Sequence, residues 1–335
     1  MMNRHILFTS PGIAELLEKQ MPTVGDGDVL VKIERSSISA GTERANLIGD
    51  RVTFRGNNKP FPRQCGYSAS GIVAKIGKNV MSVKVGDRVA CSWSDHAEYC
   101  ALPEHRVYPL SDRIDFGAGA LAHIATFPLA AVRKCAPEIG ESSIVMGLGV
   151  LGLIAVQLLR IAGTTPIVAV DPVPEKRAKA LELGADYAVD PFEEGFAQRV
   201  KALTGGGANV AIEVTGKGAG LDQTLDCMKK FGRVALLGCT RDSNFTIDYY
   251  GKVHGPGITL VGAHTNARPK GESFHGWWTD GDDARAILRL IETGRIDLAC
   301  LIEEVYSPAC APEVFGRLAA ATHFPVTQFD WSKLS

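Results

Sequence analysis

Six residues, Gly147-Leu-Gly-Val-Leu-Gly152, set glycine at the first, third and sixth positions, directly after the apolar run Ser143–Met146. This spacing suits a turn that lets a diphosphate lie against the main chain. Gly147 permits the tight turn, Gly149 the approach of the pyrophosphate, and Gly152 close packing of a helix on a strand. Val150 and Leu151 fall where that helix begins, so their end of it offers unpaired N–H groups and a favourable dipole to an anion. Asp171 closes the next apolar run, Ile167–Val170, nineteen residues beyond Gly152. A carboxylate there accepts hydrogen bonds from both hydroxyls of an adenine ribose and repels a 2′-phosphate, which favours NAD(H) over NADP(H). Lys176 and Arg177, on the following helix, are the cations that complicate this preference.

Two further groups carry reactive or aromatic side chains. Phe274-His-Gly-Trp-Trp278 places Trp277 and Trp278 beside a glycine and a histidine. Adjacent indoles suit a substrate-pocket wall that stacks on a sugar face; the alternative is packing or an interface, where aromatics are also enriched. Eight cysteines stand at 65, 91, 100, 135, 227, 239, 300 and 310. None forms a C-x-x-C pair and no histidine lies at zinc-finger spacing from a pair, so free thiols in a reducing compartment are expected.

These residues need a frame to hold them. From about residue 121 the pattern is strand, helix, strand: Ser143–Met146, a helix over 151–162, Ile167–Val170, then a helix over 175–183. Further strands are predicted at 210–214, 234–237 and 259–261, with Thr215 just past the first of these. Pro172 and Pro174 fit a helix start, and a helix over 282–293 is stopped by Gly294. Such alternation predicts a parallel sheet covered by helices. Residues 1–120 read instead as β-rich, with apolar runs at 29–33 and 71–76 and turns at 77–80 and 85–88. Regular short strands of this kind predict a small barrel-like domain.

Two packed domains are the expectation for 335 residues. A net charge of -1 gives no electrostatic reason to expect nucleic acid or an anionic membrane. No apolar run approaches the roughly 20 residues of a bilayer span. The first twenty residues lack a cationic start and an apolar segment, so a cytoplasmic location is expected.

With both halves in view, the chain resembles the medium-chain dehydrogenase/reductase superfamily, which contains the zinc alcohol dehydrogenases. The resemblance rests on Ala40-Gly-Thr-Glu43, residues 66–73, Val85-Gly-Asp-Arg-Val89, the glycine motif, Gly184-Ala-Asp186 and Gly294-Arg-Ile-Asp297. It implies an α/β fold: a GroES-like β-barrel domain (1–121), a Rossmann domain with a doubly wound parallel sheet (122–264), and a C-terminal segment (265–335) that returns to the first domain. The zinc ligands of that superfamily are missing. Ala40, Tyr67 and Ala122 stand where zinc members carry cysteine, histidine and a cysteine or acid, and the four-cysteine structural loop is absent. No metal is therefore expected. Residues 36–43 and 64–68 resemble a narrower zinc-free branch that includes bacteriochlorophyllide dehydrogenase and modules fused to a sugar-oxidoreductase-like domain.

The same resemblance suggests catalytic roles. Thr42 aligns with the hydroxyl that starts the superfamily's proton relay, and Tyr67 offers a phenol where a metal ligand would stand. Glu43 and His123 are the candidates for tuning Tyr67 or acting as base. Gly238, Thr240 and His264 fall where the superfamily holds the nicotinamide ring. The implied function is zinc-independent, NAD(H)-dependent interconversion of a secondary alcohol and a ketone, on a polyol, sugar or sugar-like molecule. The alternatives are a zinc-free enone or quinone reductase and a non-catalytic nucleotide-binding protein. A homodimer or homotetramer is implied as well.

Overall fold

A computed structural model describes residues 2–50, 52–53, 61–242, 244–321 and 323–334. The chain forms two compact units, Met1–Ile124 with Ala284–Ser335, and Ala125–Asp283.

The first unit is built on the strand Asp28–Ser37. Val29, Leu30, Val31 and Ile33 are buried while Lys32 is exposed, so the alternation of a strand with one buried face holds only over Val31–Ile33. The sheet runs Glu304–Tyr306, Thr327–Asp330, Asp28–Ser37, Ser68–Ile76, Arg88–Ser92 and Val107–Pro109, and Tyr99–Pro103 also pairs with the central strand. Thr327–Asp330, near the end of the chain, lies antiparallel to Asp28–Ser37. A side chain on Gly71 would collide with the Lys32 carbonyl, so only glycine lets the two central strands approach this closely. Met2–Ser10 and Ile13–Gln20 form a hairpin beside this sheet, and Phe8 of that hairpin meets Phe315 edge-on at 5.0 Å. Phe315 lies 5.8 Å from Phe329, and all three rings are fully buried.

The second unit carries a six-stranded, all-parallel sheet among the described residues. Its order is Tyr187–Val189, Ile167–Val170, Ser143–Met146, Ala208–Glu213, Met228–Leu236, Thr259–Gly262. In chain order this is 3-2-1-4-5-6, the doubly wound arrangement, with its switch point between Ser143–Met146 and Ala208–Glu213. Every residue of Ser143–Met146 and Ile167–Val170 is buried, as strands with helices over both faces must be.

Two helices add to the β-rich reading of residues 1–120. Ala40–Ile48 starts after Ser39 and ends at Gly49, whose φ of +73° gives the left-handed cap. Phe116–Cys135 is a 20-residue helix, apolar and long enough to cross a membrane by composition alone. Its apolar window is 83% buried inside the protein, which leaves no polar stripe to betray it as a helix.

Phe315→Ala should lower the unfolding free energy of the first unit by about 3–5 kcal/mol, measured by denaturant titration. A loss under ~1 kcal/mol would mean that the three-ring cluster is not its core.

Candidate active site and dinucleotide site

The glycine turn of the second unit is shaped by contacts that exclude larger residues. Gly147 has a φ of +97°, a conformation L side chains rarely adopt. A Cβ on Gly152 would overlap the Gly147 carbonyl oxygen, so helix and strand meet only because position 152 is glycine. Gly149 is the extended N-cap of the helix Val150–Ile161, and no side chain caps it. Its first N–H groups are therefore directed at whatever lies beyond the turn.

Asp171 is buried at the end of its strand. Its Oδ2 accepts from the Leu148 N–H at 2.8 Å and its Oδ1 from the Val173 N–H at 2.9 Å. A carboxylate offers about four lone-pair sites, so two remain for a ribose diol. On the far side of the switch point, Glu213 is buried, and its carboxylate accepts from the Thr215 and Gly216 N–H groups and from the Thr215 hydroxyl. Burial pushes the Glu213 carboxyl above its ordinary range, and those donors pull it back. A Cβ on Gly147 would stand 3.2 Å from Thr215 Cγ2, and one on Gly238 would collide with the Gly216 nitrogen. Gly147, Thr215 and Gly238 thus form one rim. Thr240 and His264 are exposed on the loops that follow the last two strands, and Lys176 is half-buried on the helix Pro174–Glu182.

In the first unit, Tyr67, Trp93 and His123 form an aromatic trio. His123 is buried and meets Trp93 edge-on at 4.8 Å and Tyr67 at 5.8 Å; Tyr67 and Trp93 are 6.0 Å apart. Trp93 is 40% exposed and has a φ of +56°, a strained backbone for a bulky residue. The Trp93 N–H donates to the Tyr67 carbonyl at 2.7 Å.

Glu43 does not join this group. It sits in the first turn of Ala40–Ile48, and its Oε1 accepts from the Ser39 N–H at 2.8 Å, with no side-chain cap bond from Ser39 in return. Its Oε2 lies 2.9 Å from His96 Nε2, and His96 Nδ1 lies 2.7 Å from the Ser36 hydroxyl. Glu43, His96 and Ser36 are all essentially sealed from water. The expected base is therefore an internal anchor that sets the first turn carrying the half-buried Thr42. The partner, His96, also gives its N–H to Cys65, and a Cβ on Gly66 would come within 2.6 Å of its nitrogen. The anchor consequently holds both the Thr42 turn and the segment leading to Tyr67.

Trp277 and Trp278, which the sequence offers as a pocket wall or as packing, each carry a cation on one face. The Arg133 guanidinium lies 3.6 Å over Trp278, and the Lys134 ammonium 4.4 Å over Trp277. Lys134 also donates to the Gly262 and Ala267 carbonyls, and Arg133 pairs with Asp283. One face of each indole is thus taken by a cation that straps residues 262–283 to the helix Phe116–Cys135.

Comparison with known proteins bears on both halves. An alcohol dehydrogenase GroES-like domain family matches residues 25–137, and a zinc-binding dehydrogenase family matches residues 150–275. Together they take in well over half of the chain. It belongs to the medium-chain dehydrogenase/reductase superfamily. L-threonine 3-dehydrogenase of Pyrococcus horikoshii is 28% identical over 90% of each chain. (R,R)-butanediol dehydrogenase of Bacillus subtilis is 31% identical over 64% of this chain and 71% of its own. Galactitol-1-phosphate dehydrogenase of Escherichia coli has the same fold, with a TM-score of 0.83 at 19% identity over 98% and 99% of the two chains.

As a superfamily member the chain is an alcohol-dehydrogenase-like oxidoreductase with a nicotinamide-cofactor fold. The zinc that the superfamily implies does not suit the donors present. The positions where the resemblance implies ligands, 40, 67 and 122, hold two alanines and a phenol, and among the described residues no three His, Cys, Asp or Glu side chains could hold a metal ion. Leu148, Glu213, Trp93 and His96 escaped sequence reasoning. Only Glu213, an acid closing an apolar strand as Asp171 does, left a readable sign.

Gly152→Ala should weaken NADH binding about tenfold or more, since the helix must shift off the turn. Nicotinamide fluorescence measures this, and unchanged affinity would contradict the assigned turn.

Proposed function

We propose that this chain catalyses reversible hydride transfer between NAD(H) and a secondary alcohol or ketone of polyol or sugar-like type, without zinc. The Tyr67–Trp93–His123 trio carries the reading, because it gathers a phenol, an indole and an imidazole at the one implied zinc-ligand position, 67, that bears a polar side chain. Bound NAD supplies the hydride acceptor. The chain's own task is to stabilise charge on the substrate oxygen and to manage its proton. In ketone reduction the Tyr67 hydroxyl donates to the substrate oxygen and gives up its proton as charge develops there. In alcohol oxidation the same oxygen receives the proton. His123 stands nearest to accept or return it, and the Thr42 hydroxyl orients the substrate from the anchored turn. The exposed part of Trp93 offers a flat apolar surface beside this point, suited to the C–H face of a ring.

Asp171 supports NAD(H) over its phosphorylated form. The butanediol and threonine dehydrogenases among the relatives support an alcohol with a neighbouring polar group. The edge strand Thr259–Gly262, largely exposed and free of charge or proline, supports a homo-oligomer joined through that edge. We assign the chain to the cytoplasm.

A panel of polyols, sugars, simple alcohols, ketones and enones, followed by NADH absorbance, tests the reading. NAD reduction by a polyol or sugar is expected. Activity confined to enones or quinones would transfer the chain to the reductase class. Tyr67→Phe should reduce kcat about a hundredfold while NADH affinity stays within about twofold; near-normal turnover would leave Tyr67 a packing residue.

A further inference from the structure

Two serines of the strand Ser68–Ile76 turn their hydroxyls toward the helix Phe116–Cys135. Positions 68 and 70 share one face of the strand, and both residues are essentially fully buried. Ser68 Oγ donates to the Ala120 carbonyl at 2.6 Å, and Ser70 Oγ donates to the Phe116 carbonyl. Gln328 Nε2 adds a bond to the Gly117 carbonyl at 2.8 Å. A helix carbonyl has a second lone pair, so it accepts such a donor without giving up its place in the helix. Glycine at 119 lets strand and helix close up, since a Cβ there would stand 3.2 Å from Ser70 Cβ and 2.8 Å from Leu110 Cδ1.

The two hydroxyls differ in what lies beside them. Ser68 directly follows Tyr67, whose carbonyl accepts the Trp93 N–H at 2.7 Å. Its acceptor, Ala120, lies one helical turn before His123 and on the same face of the helix. Ser70 and Phe116 are two residues further along the strand and a full turn further from His123. We propose that Ser68 is a positioning residue: its bond to Ala120 sets the spacing of the Tyr67 and His123 rings, whose centroids lie 5.8 Å apart. This rests on the reading of those two side chains as the pair that handles the substrate's proton. Phenol and imidazole come from separate elements, and the Ser68 hydroxyl ties the end of one to the turn that carries the other. Without it the strand meets the helix through a hydroxyl only at Ser70, and a shift of about 1 Å between reacting groups costs up to about a hundredfold in rate.

The test compares Ser68→Ala with Ser70→Ala, which removes an equally buried hydroxyl from the same face but leaves the Ser68–Ala120 bond. Both should lower the melting temperature by a similar amount. In Ser68→Ala alone, kcat should fall about tenfold or more, while KM for the alcohol and NADH affinity stay within about twofold. A second readout needs no turnover. The His123 ring protons, assigned by their absence in His123→Gln, lie in the ring currents of Tyr67 and Trp93. Their NMR shifts should move in Ser68→Ala and stay in place in Ser70→Ala. Ser68→Cys, similar in size with a weaker donor, should fall between the wild type and Ser68→Ala in both readouts. Equal losses of kcat in the two alanine variants, or His123 shifts that do not distinguish them, would overturn the inference. Failure of the underlying catalytic reading looks different: the shifts would then move in Ser68→Ala with kcat unchanged.

Discussion

A contact that only glycine allows governs the dinucleotide half of the molecule. Gly152 packs so closely on the Gly147 carbonyl that any Cβ would overlap it, and the helix after the turn begins where that contact places it. Because the helix start is fixed, the Leu148 N–H reaches Asp171, and the carboxylate is set at the end of its strand. The rim formed by Thr215 and Gly238 follows from the same economy of space. Glu213 holds the Thr215–Gly216 loop by its main chain, and Gly238 fits against that loop because it lacks a side chain. In the proposed reading, affinity for a diphosphate arises from backbone N–H groups placed by steric necessity.

The other unit meets a different constraint. Its candidate chemistry lies on two separate pieces of chain, the turn carrying Thr42 and the segment carrying Tyr67. A buried acid–imidazole pair, Glu43 and His96, joins them at 2.9 Å. Removing one member of such a pair leaves an uncompensated polar group in a sealed site, which costs far more than the net stability the intact pair contributes. Here the pair has a positional value. Through it, a carboxylate that sequence alone offers as a base becomes the fixed point from which a hydroxyl and a phenol are presented.

Much of the second unit was legible in the sequence. Ser143–Met146 and Ile167–Val170 are short, fully buried strands, and the glycines and Asp171 bear on one another across only some twenty residues. Local patterns of that kind survive in a linear reading. The helix Phe116–Cys135 did not, because a helix buried on nearly all sides has no amphipathic period to read. The helix Ala40–Ile48 was missed despite Ser39 before it and Gly49 after it, a cap pattern too short to outweigh the strands around it. Long-range partners were hidden for a plainer reason. His96 meets Glu43 across 53 residues, and Trp278 meets Arg133 across more than a hundred, so nothing local announces either contact. That is why Glu43 reads as a base, and the paired indoles as either a pocket wall or packing, until the fold brings in their partners.

In the proposed reaction, side chains replace metal at the reacting oxygen. Elemental analysis of the purified chain, run beside its rate of NAD reduction before and after exhaustive chelation, tests this most directly. Far less than one zinc per chain and an unchanged rate are expected. One zinc per chain, whose removal abolishes turnover and whose return restores it, would make the reaction metal-dependent and Tyr67 no substitute for the ion.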